Sequence, residues 1–263
     1  MSGHIFLPAS ASVAVASARN GVEVAAATST GGRRTNADAY LIDEAAGFFA
    51  VSDAMGDTPR SGVVARMALD AVRELFLAPW ADLPLEQRWP AEAGERLRIG
   101  VTQANGRLYV ENRAEPLGTT FAGAVVCSQY LCVASVGDSR VYLFRPRTGR
   151  IAKLTRDDTV LDEAVARGAP FDVAAASPNA HALTRAIGTK PALDLWPLAL
   201  RWAPGDVLLL CTDGLTDFVG DGELSSLVSR SSDLGAAAAR LVERAGRAGG
   251  WDNATVVLVQ RAI

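Results

Sequence analysis

Four aspartates lie next to strongly apolar segments at widely separated points of the chain: Asp53, Asp138, Asp213 and Asp252. Taken singly, an Asp beside a Gly is typical of a turn, because Asp caps the turn and Gly supplies a positive φ. Taken together they predict one site, since a charge at the end of a buried strand is costly without a partner. Carboxylates that meet at one sheet edge repel one another unless cations lie among them. We therefore expect bound cations between these side chains.

The available ligand types indicate which cations these are. The only histidines, His4 and His181, lie outside the aspartate segments, and Cys127, Cys132 and Cys211 lie in predicted strands without C-x-x-C spacing. A zinc site of nitrogen and sulfur donors is therefore excluded. Oxygen ligands favour Mg²⁺ or Mn²⁺, and two such ions sharing a carboxylate can activate water for attack on phosphorus. This donor set predicts hydrolysis of a phosphate ester.

A phosphate substrate also needs a positively charged group to bind its oxygens. Arg33 and Arg34 lie just upstream of Asp38, and a guanidinium can bind two phosphate oxygens at once. For Arg34 the alternative is a solvated surface charge, which is the common state of an arginine. Arg140 is equally consistent with a structural role, paired with a carboxylate beneath the site. The Arg33-Arg34 pair thus predicts the phosphate-binding side of the site.

Apolar periodicity predicts the elements that must position these residues. Strands are expected at residues 22–30, 40–42, 48–52, 119–127, 130–136, 140–145, 193–200, 207–211 and 254–260. Helices are expected at residues 62–77, 91–112, 160–167, 223–229 and 234–247. The second and third strands form a predicted hairpin that would bring Asp38 near Asp53. Strands in the middle, with helices in separated pairs, predict sheets covered on both outer faces.

Length and composition restrict the class of protein. The chain has 263 residues, a net charge of -3 and 49% hydrophobic residues, without an internal repeat or a linker. We expect a single domain over residues 1–263, with the irregular segment about 155–193 as a surface flap. The scattered charge provides no basic footprint for nucleic acid. No apolar run is long enough to span a bilayer, so no membrane partner is expected.

The cysteines and the amino-terminal segment predict the compartment. An odd number of cysteines without motif spacing argues against disulfides and for a reducing environment. Residues 5–18 are small and mildly apolar, but no Lys or Arg precedes Arg19, as a secretory signal requires. We expect a cytoplasmic protein, and a monomer.

Eight short motifs, in order along the chain, carry a resemblance to a known family. They are R-x-x-N-x-D (33–38), V-S-D-A-M-G (51–56), G-T-T (118–120), V-G-D-S-R-V-Y (136–142), L-T-R-D (154–157), T-R-A-I-G (184–188), L-L-C-T-D-G-L-T-D (209–217) and D-N-A-T-V-V (252–257). With these motifs the chain resembles, over essentially its whole length, the bacterial metal-dependent Ser/Thr protein phosphatases of type 2C. The resemblance implies an α+β fold, a four-layer α/β/β/α sandwich in which two central antiparallel β-sheets are flanked by helices.

The resemblance also implies metal ligands, with two Mn²⁺ or Mg²⁺ ions at one end of the sheets. Asp53 corresponds to the carboxylate that bridges the two ions, and Ala54 to the residue whose backbone carbonyl joins the shell. Asp213 and Asp252 correspond to ligands of one ion, and Asp38 to an acid near the other.

The implied reaction and partners follow from the same resemblance. Arg33 corresponds to the phosphate-binding arginine and forms the catalytic set with Asp53, while Asp138 resembles a residue that helps hold a third, weaker ion. The reaction would be hydrolysis of phospho-Ser and phospho-Thr by direct attack of metal-activated water. A covalent route is not expected, because the sequence offers no activated Cys or Ser nucleophile. The partners would be phosphorylated proteins, among them a Ser/Thr kinase or its substrates.

Several residues depart from the family pattern. Ala37 replaces Glu or Gln, Ala54 and Asp57 each replace Gly, and Asp158-Thr159 replace His-Ser. If the backbone at position 54 requires a positive φ, Ala54 costs about 1 to 2 kcal/mol, and Asp57 would either repel substrate or recruit metal. These changes motivate an alternative, a catalytically silent module of the same fold that binds phosphoproteins or a kinase. A third hypothesis differs only in substrate: a partner-switching phosphatase that acts on an anti-sigma-factor antagonist.

Overall fold

The computed structural model describes residues 12–19, 21–111, 117–231 and 233–262, with side chains from residue 21 onward. The first part of the amino-terminal segment 5–18, and Asn112 at the end of a predicted helix, lie outside the described residues.

The strands of this described part form two antiparallel sheets. They are β1 (Ser12–Arg19), β2 (Val22–Ser29), β3 (Asp38–Asp43), β4 (Phe48–Asp53), β5 (Phe121–Cys127), β6 (Tyr130–Val136), β7 (Arg140–Arg145), β8 (Arg150–Lys153), β9 (Leu198–Arg201), β10 (Val207–Cys211) and β11 (Ala254–Arg261). The order is β1-β2-β11-β10-β7-β8 in the six-stranded sheet and β3-β4-β5-β6-β9 in the five-stranded sheet. The two sheets face each other across a layer of apolar side chains.

Helices cover the outer face of each sheet. The α-helices are α1 (Pro59–Arg73), α2 (Pro90–Glu111), α3 (Val160–Ala166), α4 (Phe171–Ala175), α5 (Asp213–Thr216), α6 (Asp221–Ser229) and α7 (Leu234–Arg247). Helices α1 and α2 pack on the five-stranded sheet, and α5, α6 and α7 pack on the six-stranded sheet. The predicted fold, an α+β four-layer sandwich, is confirmed.

Strand β4 illustrates why the central strands end at the site. Phe48 and Ala50 belong to the core under α1 and α2, whereas Phe49 and Val51 belong to the core between the sheets. Successive side chains of a strand point to opposite faces, so a strand buried on both faces reads as a continuous apolar run. The run ends at Asp53, where the strand leaves the core.

Several predicted elements need correction. The strand predicted at residues 193–200 begins only at Leu198, because Pro197 cannot donate a ladder hydrogen bond. Strand β8 and helices α4 and α5 were not predicted, because four or five residues are too few to display a period. Asp213, predicted as the turn after a strand, is instead the first residue of α5.

Two further observations bear on the sequence-based expectations. Cys127, Cys132 and Cys211 are buried, as predicted for residues on central strands, and none of them is in a disulfide bond within the described ranges. Within the described ranges, no helix combines the length and the apolar character needed to cross a bilayer.

Candidate metal centre

The hairpin of β3 and β4 brings two of the predicted site residues together. Asp38 pairs with Asp53 in the antiparallel register, as the sequence predicted. The G-T-T motif fixes the backbone of Asp53 from the other side: its amide donates to Thr120 Oγ1 at 2.8 Å, and its carbonyl accepts from Thr120 N and Thr119 Oγ1. Asp53 therefore stands on a backbone held from both sides.

The other sheet supplies Asp213 and Asp252 from neighbouring strands. Asp213 opens α5 directly after β10, and Asp252 lies just before β11, which is paired with β10. A Cβ on Gly214 would clash with the backbone carbonyl of Asn253, so only glycine permits this close approach. The two carboxylates are thus positioned by main-chain contact.

Hydrogen bonds connect Asp38 to the second sheet. Thr212 Oγ1 donates to Asp38 Oδ2 at 2.9 Å and accepts from the amide of Thr255, on β11, at 3.0 Å. The remaining oxygens, Asp38 Oδ1 and Asp213 Oδ1, are buried and have no hydrogen-bond partner among the described residues. A buried carboxylate oxygen without a donor is costly, so these two oxygens mark a position suited to a cation.

The carboxylates raise one another's pKa values. Burial raises the pKa of Asp38 to about 7, that of Asp213 to about 6 and that of Asp138 to about 8, and neighbouring carboxylates add to each shift. The pKa of Asp53 is raised well above its ordinary value by burial and then by Asp38, Asp213, Asp138 and Asp252. Like charges gathered in a poorly solvated cleft produce these shifts.

Asp252 differs from the others because it is already paired. Arg33 Nε donates to Asp252 Oδ1 at 2.8 Å and Arg33 Nη2 to Oδ2 at 2.7 Å. Asp252 Oδ1 also accepts from the amide of Asn253. A carboxylate oxygen has about two acceptor positions, so Oδ2 is the atom of Asp252 that retains one for another ligand.

The carboxylate oxygens of this site are suitable ligands for hard divalent cations, although the carboxylates do not surround a single position. Within the described ranges, no three His, Cys, Asp or Glu side chains surround a common position closely enough to define a finished metal site. One cause is visible: both carboxylate oxygens of Asp252 accept hydrogen bonds from Arg33. Carboxylate oxygens without donors, raised pKa values and purely oxygen ligands nevertheless suit Mg²⁺ or Mn²⁺.

Asn253 is a positioning residue that the sequence analysis left without a role. Its Oδ1 accepts from the amide of Ala37 at 2.8 Å, and its Nδ2 donates to the carbonyls of Thr30 and Thr35. It thereby joins the loop that carries Arg33 to the segment that carries Asp252. The D-N pair of the last motif was the available signal.

The departures from the family pattern have structural explanations. Ala54 is buried and its φ is not positive, so the backbone cost considered above does not arise. Asp57 accepts hydrogen bonds from Thr35 N at 3.0 Å, Thr35 Oγ1 at 3.0 Å and Arg34 N at 3.3 Å. These bonds and Arg33 lower the pKa of Asp57. Asp57 therefore braces the arginine loop, and Thr159 caps α3 through the amide of Asp162.

Beneath the site, carboxylates are paired with basic side chains. Arg140 Nη2 donates to Asp157 Oδ2 at 2.7 Å and Lys153 Nζ lies 2.7 Å from Asp157 Oδ1, which confirms the structural alternative for Arg140. Asp158 accepts from Arg185 Nη1 at 3.0 Å and from the amide of Gly137 at 3.0 Å. Asp158 thus ties the segment 155–193 to the turn that carries Asp138.

Comparisons with known proteins agree with this geometry. Residues 32–247 match the family model described as "Protein phosphatase 2C". The serine/threonine phosphatase stp of Listeria welshimeri is 30% identical over 216 residues, covering 80% of this chain and 83% of that protein. The structure of PppA, described as a key regulatory component of T6SS in Pseudomonas aeruginosa, is 30% identical and superposes with a TM-score of 0.77, covering 91% of this chain and 97% of that one.

A third comparison concerns the metal. The catalytic domain of the serine threonine protein phosphatase PstP, in complex with two manganese ions, is 25% identical with a TM-score of 0.75, covering 96% of this chain and all of that one. Motifs, fold and clustered carboxylates therefore lead to one assignment: this chain belongs to the protein phosphatase 2C family of metal-dependent Ser/Thr protein phosphatases.

Proposed function

We propose that this Ser/Thr phosphatase hydrolyses phosphoserine and phosphothreonine esters in proteins with two divalent cations, Mn²⁺ or Mg²⁺, and a third, weaker ion near Asp138. One observation carries the proposal: Asp38 Oδ1 and Asp213 Oδ1 are buried beside each other's carboxylates without a hydrogen-bond donor among the described residues. Bound cations would supply the missing positive charge and an activated water nucleophile.

The proposed ligands follow the family pattern. Asp53 would bridge the two ions and the carbonyl of Ala54 would join the shell. Asp213 and Asp252 would hold one ion, with Asp252 offering Oδ2, and Asp38 would lie near the other. The pKa values of Asp38, Asp53 and Asp213 are raised by burial and by one another. Divalent cations would reverse this shift, because an opposite charge favours the ionised carboxylate.

Arg33 is proposed to bind and orient the phosphate. Its Nε and Nη2 are held by Asp252, while Nη1 has no hydrogen-bond partner among the described residues. A guanidinium fixed on one edge can present the other to a phosphate oxygen with little loss of side-chain entropy. Thr212 and Asn253 would keep the surrounding carboxylate and loop in place during turnover.

The substrates are phosphorylated proteins, and we propose that they include a Ser/Thr kinase or its targets. We propose a monomer in the cytoplasm, since three buried cysteines without a disulfide bond among the described residues suit a reducing compartment. Two of the three motives for the catalytically silent alternative fall away, because Ala54 is unstrained and Asp57 bonds the arginine loop; Ala37 is the one that remains.

A phosphate-release assay tests the proposed function. The wild-type chain should release phosphate from a phosphothreonine peptide only with Mn²⁺ or Mg²⁺, and EDTA should abolish release. Asp213→Asn serves as the background control. Turnover that is insensitive to EDTA, or absent with either metal above the Asp213→Asn background, would contradict the proposal.

A further inference from the structure

One large apolar side chain beside the metal centre has no role in the chemistry described above. Trp251 immediately precedes Asp252, and 55% of its surface is exposed to solvent. An indole left this exposed keeps much apolar area in water, and such surface next to a cleft is characteristic of a binding contact.

Trp251 is also an ordered part of the phosphate-binding side. The guanidinium carbon of Arg33 lies 4.6 Å from the centre of the Trp251 ring, within the range of a cation–π contact. A Cβ on Gly31 would clash with the carbonyl of Asp252, and Gly31 has a φ of 58°, so the arginine loop rests directly on this segment. The indole is therefore held at a fixed position relative to Arg33.

A second exposed apolar side chain lies next to another clustered carboxylate. Met55 follows Asp53 by two residues, is 38% exposed, and has its amide bonded to the carbonyl of Gly118 at 2.9 Å. The acidic cleft thus has apolar surface at the edge of two of its carboxylate segments. A phosphorylated residue bound at Arg33 would present its neighbours in the peptide to such surface.

We infer that Trp251 is a specificity-determining residue, which binds an apolar side chain adjacent to the phosphorylated residue of the substrate. This inference rests on the proposed function, in which Arg33 binds the phosphate. The chemistry is that of an apolar contact: a side chain that covers part of the indole removes apolar area of both partners from water. A partial apolar contact of this kind corresponds to a preference of about three- to fivefold in kcat/KM.

Paired peptides test the inference. One heptapeptide carries Leu on both sides of phosphothreonine and the other carries Gly at both positions, with all remaining residues identical. The wild type should prefer the Leu peptide about three- to fivefold in kcat/KM, mainly through KM. Trp251→Ala should turn over both peptides with nearly equal kcat/KM, and Trp251→Phe should retain most of the preference.

Trp196 offers a matched control within the same chain. It is 75% exposed, and the guanidinium carbon of Arg185 lies 5.3 Å from its ring centre, so it repeats the Arg–Trp contact with an arginine that is not the proposed phosphate ligand. Trp196→Ala should keep the wild-type preference. Trp251→Gln, which retains bulk without the indole, provides a second variant and should lose the preference as Trp251→Ala does.

The outcomes separate this inference from the proposed function. Equal kcat/KM for both peptides in the wild type, or an unchanged preference in Trp251→Ala and Trp251→Gln, would overturn the role of Trp251 while leaving the phosphatase activity intact. Absence of metal-dependent turnover of either peptide by the wild type would instead overturn the proposed function.

Discussion

Two groups of carboxylates in this molecule have the same side chain but different partners. Asp157 is buried and bonded to Arg140 and Lys153, so its charge is neutralised within the protein. Asp53 and Asp213 lie among further carboxylates, and burial together with these neighbours raises their pKa values. The comparison teaches that partner type, rather than burial, separates a structural aspartate from a metal-ligand candidate. Substitutions in each group, and the pH dependence of stability, test this difference between structural aspartates and metal-ligand candidates.

The largest expected effect comes from Asp213→Asn. Loss of this carboxylate should lower metal-dependent turnover by at least about 100-fold, since even groups that only support metal ligands cost 10- to 100-fold. In EDTA the variant should unfold at the same temperature as the wild type or higher, because a repelling charge has been removed. Phosphate release and thermal unfolding measure the two effects, and a clearly lower melting temperature in EDTA would contradict the assignment.

Asp157→Asn should show the opposite pattern. Removing one member of a buried ion pair leaves Arg140 and Lys153 without a counter-charge, and both are about a quarter exposed. We expect a loss of about 2 to 3 kcal/mol in the free energy of unfolding, with metal-dependent turnover retained by the folded protein. Urea unfolding in EDTA measures the loss, and stability equal to that of the wild type would remove the distinction between the two groups.

The clustered carboxylates also predict how stability depends on pH in EDTA. The pKa values of Asp38, Asp138 and Asp213 are raised to about 7, about 8 and about 6 in the folded chain. Each group therefore binds more protons folded than unfolded, and its stabilisation is present below the unfolded pKa and is lost as pH rises through the folded pKa. The melting temperature should fall between about pH 4 and about pH 8.

Two controls sharpen this measurement. Asp138→Asn should show a shallower decline, because this variant lacks the carboxyl group whose pKa is the highest of the three. Saturating Mn²⁺ should also reduce the decline, since a cation favours the ionised carboxylates. An equal slope in wild type, variant and Mn²⁺-bound protein would show that these aspartates do not carry the pH dependence.

The smallest expected effect on turnover concerns Asp57. This carboxylate belongs with the aspartates that already have partners, because it bonds the loop beside Arg33. Asp57→Ala should raise KM for a phosphopeptide about two- to fivefold with kcat nearly unchanged, because the loop loses three hydrogen bonds. Glu95→Ala, which removes an exposed carboxylate paired with Arg98, is the charge-matched control. A lower KM in Asp57→Ala would indicate that Asp57 mainly repels the substrate.

The sequence predicted the strand ends well because the central strands are buried on both faces. Asp38 and Asp53 could be expected to meet, since both lie at the open end of one hairpin. The remaining metal ligands were predicted only from the resemblance to the family, because no local pattern relates Asp213 to Asp252. Helix α5 was missed since its four residues show no period.

The hydrogen-bonded side-chain pairs of the site could not be predicted from local sequence patterns. Arg33 and Asp252 are 219 residues apart, and nothing near either residue predicts that they bond. The hydrogen bonds of Asp57 could not be predicted for the same reason: its partners Arg34 and Thr35 come from a loop about twenty residues upstream. Such contacts depend on how the sheets stack, which sequence periodicity does not specify.

The close packing of Gly214 against the carbonyl of Asn253 has a consequence for the spacing of Asp213 and Asp252. Because main chain meets main chain there, repacking of neighbouring side chains cannot bring the backbones of α5 and the start of β11 closer together. A side chain at position 214 would instead force these two segments apart. The backbone, and not the surrounding side chains, therefore sets the smallest separation of the two residues that carry these carboxylates.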